Sequence, residues 1–457
     1  MGNQELINEL VKNARAAMEE IKDYDQAQID KIVKAMGKAS YDNAEMLAQL
    51  AVDEGRLGSY ESKIFKNRKS PMAAWYFLKD KKSMGVIDED KEKHILTFAK
   101  PAGVIACIIP STNPSATVMV NCMHAVKGKN AVIVAPHPRT KKTTSETTRV
   151  MVEVIEKLGA PKNLLQVIEN PTIELTQELM KASDLVTATG GSAMVKAAYS
   201  SGKPALGVGQ GNVQVMVAPD YKDFDNISTI LANDRSYDYG MLCLGEQAVH
   251  VPKEDFEAFM AAAQSKQMVL FKDKKDIDTI RGKLFEANGA FSRDLVGVAA
   301  PKVAEYMGLD VPGDTRVMLI DATGMPKDDP LRREILCPIL KIFPYDNFDD
   351  ALQDACYNLM WEGAGHTSVV YTNDSKYVIA AGEALPVCRM VVNQASVAGG
   401  GSAYNNGLDP CMSIGCGFWG NNSITDNMTY KHMLNITRVS SIIPDAHIPT
   451  PEEVWGE

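Results

Sequence analysis

The stretch Tyr237-Asp-Tyr-Gly-Met-Leu-Cys-Leu-Gly-Glu-Gln247 holds Cys243 between two glycines, Gly240 three residues before it and Gly245 two after. A polar Glu246-Gln247 pair follows the apolar Met-Leu-Cys-Leu. A cysteine between flexible residues, near a junction of regular elements, is placed to act as a nucleophile once its surroundings favour the thiolate. The same residue also reads as a buried cysteine used as a small hydrophobe, the commoner fate of a free thiol.

Other candidate residues sit in short loops after apolar runs. Pro110-Ser-Thr-Asn-Pro114 contains Asn113, whose side chain either caps the next helix or donates to an anion. Ala135-Pro-His-Pro-Arg139 contains Pro136 and His137. Thr189-Gly190-Gly191-Ser192 precedes Met194-Val-Lys-Ala-Ala, and glycines ahead of a helix let backbone N–H groups approach a phosphate. Gly207-Val-Gly-Gln-Gly-Asn212 leads into a strand, so it is not the GxGxxG pattern that opens a helix and reads equally as a turn. Glu334, in Arg332-Arg-Glu-Ile-Leu-Cys-Pro-Ile339, is either a polar anchor or a solvated helix-end acid.

These residues need a scaffold. At 457 residues the chain exceeds the size at which one core stops growing, so two or three domains are expected. An apolar content of 45% with 23% charged residues is ordinary for a globular protein. The net charge of −10, without a Lys/Arg-rich block, argues against nucleic acid as partner. The eight cysteines are scattered, with no CxxC pair and no His cluster at ligand spacing, so no metal centre is expected. The N-terminus lacks an apolar signal segment, and no run approaches 18 apolar residues. Together these features predict free thiols, no membrane span and a cytoplasmic location.

Residues 4–57 read as helices, with Asp25 and Asp42 as caps and Ile29, Ile32, Val33 and Met36 on one face. Residues 84–100 read as a hairpin around a charged turn, without a neighbouring partner strand. From 101 to 218, apolar runs at 104–109, 131–135, 164–168, 185–188 and 213–217 alternate with helical stretches such as 140–158, the rhythm of βαβ units and a parallel sheet. In such sheets ligands bind beyond the C-terminal strand ends. A second α/β block runs from 219 to 400, with strands at 248–251, 316–319, 368–371 and 390–392. Residues 399–423 are rich in Gly and Asn, a loop composition that covers functional sites. The end returns to strands, including Val439-Ser-Ser-Ile-Ile443.

Over essentially its whole length the chain resembles the CoA-acylating aldehyde dehydrogenases. The resemblance is carried, in order, by the loops at 110–114, 135–139, 189–204 and 207–212, the Cys243 stretch, Gly365-His-Thr, and Ile414-Gly-Cys-Gly-Phe-Trp-Gly420. It implies an α/β fold of two parallel-sheet domains plus a β-ribbon that pairs with another subunit, giving a homodimer or a dimer-based tetramer. Residues 1–218 would bind the cofactor, with 84–100 as the ribbon. Residues 219–400 would be catalytic, and 401–457 would return to the first domain and supply oligomerisation strands.

The same resemblance makes Cys243 the nucleophile towards an aldehyde. Asn113 and the Cys243 N–H would hold the oxyanion. Glu334 would bind the nicotinamide ribose, Thr189, Gly190, Gly191 and Ser192 the pyrophosphate, and Pro136 and His137 another part of the cofactor. NAD and NADP both fit, because Ala135 replaces the lysine that usually meets the adenosine ribose. Where hydrolytic relatives carry Glu-Leu-Gly-Gly, whose glutamate activates water, this chain has Gly207-Val-Gly-Gln. Without that base the acyl group is expected on CoA, whose thiol ionises far more readily than water. The chain ends at 457 and has neither the alcohol dehydrogenase domain of bifunctional relatives nor the extra N-terminal segment of shell-packed ones, so a free enzyme of the aldehyde step is expected.

The closest pattern, including Trp75-Tyr-Phe-Leu-Lys-Asp-Lys-Lys-Ser-Met-Gly85, is that of succinate-semialdehyde dehydrogenases. Such a substrate requires a cation for its distal carboxylate. Arg235, eight residues before Cys243, does not discriminate, since relatives acting on simple aldehydes are basic there too. Acetaldehyde, another short aldehyde or sulfoacetaldehyde are the alternative substrates. A hydrolytic dehydrogenase and a non-redox cysteine acyltransferase are the alternative activities.

Overall fold

The computed structural model describes residues 2–456. Helices α1 (Asn3–Glu20), α2 (Gln26–Asp42), α3 (Ala44–Gly55) and α4 (Tyr60–Leu78) open the chain. On α2 the predicted face is buried, and Asp25 caps the helix by accepting the Gln28 N–H at 2.8 Å. Asp42 does not cap α3; it ends α2, and Asn43 takes the N-cap position. α4 lies beyond the helices read from the sequence. It buries Lys63, Lys66, Asn67 and Pro71, which interrupt the apolar stripe that would announce it.

The expected hairpin is β1 (Gly85–Asp90) with β2 (Ile95–Pro101). Its missing partner comes from the far end of the chain: the strand Leu434–Ser440 runs antiparallel to β2, from Leu434 opposite Pro101 to Ser440 opposite Ile95.

Strands β3 (Val104–Ile108), β4 (Ala131–Ala135), β5 (Leu165–Val167), β6 (Leu185–Thr189) and β7 (Ala205–Val208) form a parallel sheet in the order β5-β4-β3-β6-β7. Helices α5 (Ala116–Lys127), α6 (Lys141–Lys157), α7 (Ile173–Ala182) and α8 (Ser192–Tyr199) connect them. β3 and β4 are buried on both faces, which is why they read as unbroken apolar runs. Strand order reverses between β3 and β6, and this opens a crevice beyond their C-terminal ends.

A second parallel sheet has seven strands in the order β10-β11-β12-β9-β8-β13-β14. They are β8 (Val213–Val217), β9 (Glu246–Pro252), β10 (Met268–Phe271), β11 (Val317–Asp321), β12 (Ile339–Tyr345), β13 (Gly365–Tyr371) and β14 (Val387–Val392). Helices α9 (Phe224–Ser236), α10 (Phe256–Gln264), α11 (Lys274–Leu284), α12 (Ala300–Met307), α13 (Phe348–Trp361) and α14 (Ser375–Ala384) pack around it. The strand Leu434–Ser440, β15, and the short helix α15 (Pro451–Trp455) end the chain.

Two expectations are corrected. Val213–Val217 was grouped with the first sheet, but it pairs with β9 and β13 in the second. The change of sheet therefore falls at 209–212 and not at 218. The second sheet has seven strands where the sequence showed four. β10 has only four residues, and β12 carries Lys341 and Pro344 inside its run. No described helix is long and apolar enough to cross a membrane.

Candidate active site

The first sheet contributes loops at its C-terminal edge. Asn113 follows β3 and is almost fully buried. Thr189 ends β6, its hydroxyl 2.9 Å from that of Ser413. Gly190 is half-buried, and Gly191 and Ser192 are exposed. Gly191 occupies the N-cap of α8 and supplies no side-chain cap. The first N–H groups of that helix therefore remain free for an anion, and a Cβ on Gly191 would meet nothing within 4 Å. Pro136 is buried and His137 exposed at the end of β4, where His137 Nδ1 accepts the Arg139 N–H at 3.1 Å.

The second sheet contributes residues at its N-terminal edge. Cys243 lies between a 3₁₀ turn (Tyr237–Gly240) and β9, and is half-buried. Asp238 and Tyr239, at φ 48° and 52°, hold left-handed backbone ahead of it, at a cost of about 1 kcal/mol or more each. Bonds to α4 offset that cost. The Asp238 carboxylate accepts from Lys63 and Lys66 and from the Ser59 N–H, while the Asp238 N–H donates to Ser62 Oγ at 3.0 Å.

Glycine is obligatory at 211, because a Cβ there would lie 1.9 Å from the Cys243 carbonyl oxygen. The Gly211 N–H donates to Glu334 Oε1 at 3.1 Å, so the 207–212 loop ties Glu334 to the cysteine loop. Glu334 is buried and is no solvated acid. Burial, and then the neighbouring Glu362, push its carboxyl up to about 8. The Cys243 thiol is pushed up to about 12, by burial first and then by Glu334, Cys416 and Cys411. His366, from the Gly365-His-Thr motif, is buried with no partner on either ring nitrogen among the described residues, and burial lowers it to about 3.

Asn113 and Cys243 line one cavity of about 380 Å³, walled by Phe65, Leu242, Leu244, Val397, Met412 and Ile414. α4 gives it two cations, Lys66 and Lys69. Thr189 to Ser192, Pro136, His137 and Glu334 do not line it. Sequence reasoning missed Lys66, Lys69 and Asp238. The available signal was the polar stripe Lys63, Lys66, Asn67, Ser70 at helical spacing on α4.

Arg235 is not a ligand for anything in the cavity. It is fully buried and donates to the carbonyls of Ile335, Cys337, Ile339 and Gly240, bracing the loops that carry Glu334 and Cys243. At Gly207 there is no room for a base on the existing backbone: a Cβ would meet Tyr199 Cε2 at 2.7 Å and Val195 Cγ1 at 2.8 Å. The Gly207 N–H donates to the Tyr199 hydroxyl at 3.0 Å.

The family model described as "Aldehyde dehydrogenase family" matches residues 1–404. A "Succinate-semialdehyde dehydrogenase (acetylating)" of Clostridium kluyveri is 41% identical over 456 residues, covering 100% of both chains. A "Sulfoacetaldehyde dehydrogenase" of Acholeplasma is 36% identical, covering 99% of this chain and 94% of its own. Among solved structures, an acetylating aldehyde dehydrogenase from Geobacillus thermoglucosidasius superposes with a TM-score of 0.93 at 34% identity, covering 98% of each chain.

Proposed function

The chain belongs to the aldehyde dehydrogenase family and to its CoA-acylating branch, and from that premise we propose that it interconverts a short anionic aldehyde, succinate semialdehyde, and its acyl-CoA. Cys243 is the nucleophile. Its thiol gives up its proton to solvent, the thiolate sulfur adds to the aldehyde carbon as the C=O electron pair moves to oxygen, and the oxyanion is held by the Asn113 carboxamide and the Cys243 N–H. A nicotinamide, when bound, would supply the hydride acceptor, and the Cys243 adduct would be left as an acyl thioester on the sulfur. The uncapped N-terminus of α8, with Gly190, Gly191 and Ser192, suits a pyrophosphate, and Glu334 has a second carboxyl oxygen for a ribose hydroxyl. Burial and the neighbouring Glu334 hold the thiol in its protonated form in the ligand-free chain.

The fate of the thioester follows from Gly207. With Tyr199 filling the place of a general base, water is not activated there. The CoA thiol, ionising some seven units below water, takes the acyl group instead. One thioester replaces another, so the reaction runs in both directions. The exposed apolar residues of the ribbon and C-terminal segment, among them Val439, Ile442 and Ile448, support a homodimer or dimer-based tetramer, and the free thiols support a cytoplasmic setting.

One observation carries the substrate assignment: Lys69 lines the mainly apolar cavity that Cys243 also lines, and it forms no ion pair among the described residues. It rests near the Phe65 ring, 5.3 Å from its centroid. A distal carboxylate or sulfonate completes it, whereas acetaldehyde leaves it unanswered. The test compares succinyl-, sulfoacetyl- and acetyl-CoA reduction in the wild type and in Lys69→Met, with NADH and with NADPH. We expect succinyl-CoA to be preferred and its kcat/KM to fall roughly 10–100-fold in the variant, with acetyl-CoA almost unaffected. A uniform loss across the panel would remove the assignment.

A further inference from the structure

The amide of Asn113 can serve an oxyanion only through its N–H₂ end, yet a carboxamide has two nearly identical ends. Something must choose between them. Lys66 Nζ lies 2.5 Å from Asn113 Oδ1. An ammonium has three donors and no acceptor, so it accepts only the carbonyl end as its neighbour; the flipped amide would set N–H against N–H. The carboxamide nitrogen is thereby left on the other side of the planar group, free of Lys66.

Lys66 is itself held. Its ammonium lies 2.6 Å from Asp238 Oδ2, and Lys63 reaches both oxygens of the same carboxylate at 3.2 Å. All three side chains are buried. Two cations thus share one carboxylate, and the Asn113 carbonyl is where the remaining positive charge is directed. On the next residue of α4, Asn67 accepts the Ser115 hydroxyl at 2.7 Å, while Thr144 donates to the Pro114 carbonyl at 3.1 Å, so the backbone of the loop is fixed independently of Lys66. The carboxamide orientation is what Lys66 alone contributes. The other end of the triad, Asp238, stands five residues before Cys243 in the left-handed turn. One helix therefore couples the oxyanion donor to the cysteine loop.

From this geometry we infer that Lys66, anchored by Asp238, is a positioning residue that locks the Asn113 carboxamide with its N–H₂ end towards the reacting carbonyl. The inference rests on the reading of Asn113 as the oxyanion donor, and a double-mutant cycle separates the two. Acyl-CoA reduction is measured for the wild type, Lys66→Met, Asn113→Ala and the double variant, with unfolding temperature and NADH affinity as controls. Asn113→Ala is expected to lower kcat by about 10²–10³-fold. Lys66→Met is expected to lower kcat roughly tenfold or more, with KM and NADH affinity held, and to have no further effect once Asn113 is alanine. Lys66→Arg, still donor-only, is expected to restore part of the loss. Should the methionine variant fail to fold, Lys66→Gln serves in its place with the same expected loss of effect in the Asn113→Ala background.

A Lys66 effect that persists in full when Asn113 is alanine would overturn the inference, as would an unchanged kcat in Lys66→Met. An unchanged kcat in Asn113→Ala would overturn the reading beneath it instead.

Discussion

The two sheets offer opposite edges to the same site. The first presents the C-terminal ends of β3 and β6, where the exposed Gly191 and the uncapped start of α8 leave backbone N–H groups open to solvent. The second presents the N-terminal ends of β8, β9 and β12, where Gly211, Cys243 and Glu334 are packed against one another. The first edge suits an anion held by backbone dipoles at the start of α8, and it also carries the Asn113 side chain in the loop after β3. The second has no comparable run of free donors; its chemistry resides in individual side chains whose ionisation is controlled by burial. The glycine loop before α8 and the cysteine loop before β9 thus sit at strand ends of opposite polarity, and substitutions in these two loops should fail in different ways.

The sharpest break in that comparison is Cys243→Ala. Turnover should fall roughly 10⁴-fold or more, while NADH affinity, which the proposed cofactor contacts do not draw from Cys243, stays within experimental error. Retained turnover would place the nucleophile elsewhere. The reciprocal change is Gly191→Asp. An aspartate at that N-cap takes the free N–H groups of α8 for itself and repels a pyrophosphate. NADH Kd should rise about tenfold, with the alkylation rate of Cys243 unchanged, as titration calorimetry and iodoacetamide labelling would report; unchanged Kd would detach the glycine loop from the cofactor.

The smallest effect concerns stability. Glu334 titrates near 8 in the folded chain, above its ordinary carboxyl value near 4.3. Below the lower value both folded and unfolded chains hold the proton. Between the two, the folded chain holds it and the unfolded chain does not, so stability declines as pH rises through this window and levels off above about 8. Glu334→Gln removes that slope. The variant should unfold a few degrees above the wild type at pH 9 and at the same temperature near pH 4. Equal unfolding temperatures at both pH values would mean that the buried carboxyl is not protonated.

What the sequence displayed and what it hid divide along physical lines. Residues 104–108 and 131–135 are buried on both faces, so their strands stand out as unbroken apolar runs. Of the motif glycines, Gly207 and Gly211 are fixed by packing that forbids a side chain, whereas Gly191 and Gly209 have open space around them. Sheet membership has no local signature: β8 is as fully buried as β3, and only its neighbours distinguish them. The Lys66–Asp238 pair joins residues 172 positions apart, and a lysine on a helix ordinarily faces solvent, so nothing in the chain announced it. Arg235 did not discriminate between substrates in the sequence, and the fold gives the reason: its donors go to the carbonyls of Ile335, Cys337 and Ile339.

The central claim is that the acyl group on Cys243 passes to CoA and not to water, and it rests on Gly207 and Tyr199 leaving no general base in that place. The direct measurement follows NADH formation from succinate semialdehyde with and without CoA, and identifies the product by mass spectrometry. Sustained oxidation is expected to require CoA and to yield succinyl-CoA, with at most one enzyme equivalent of NADH in its absence. Oxidation at full rate without CoA, yielding free succinate, would contradict it.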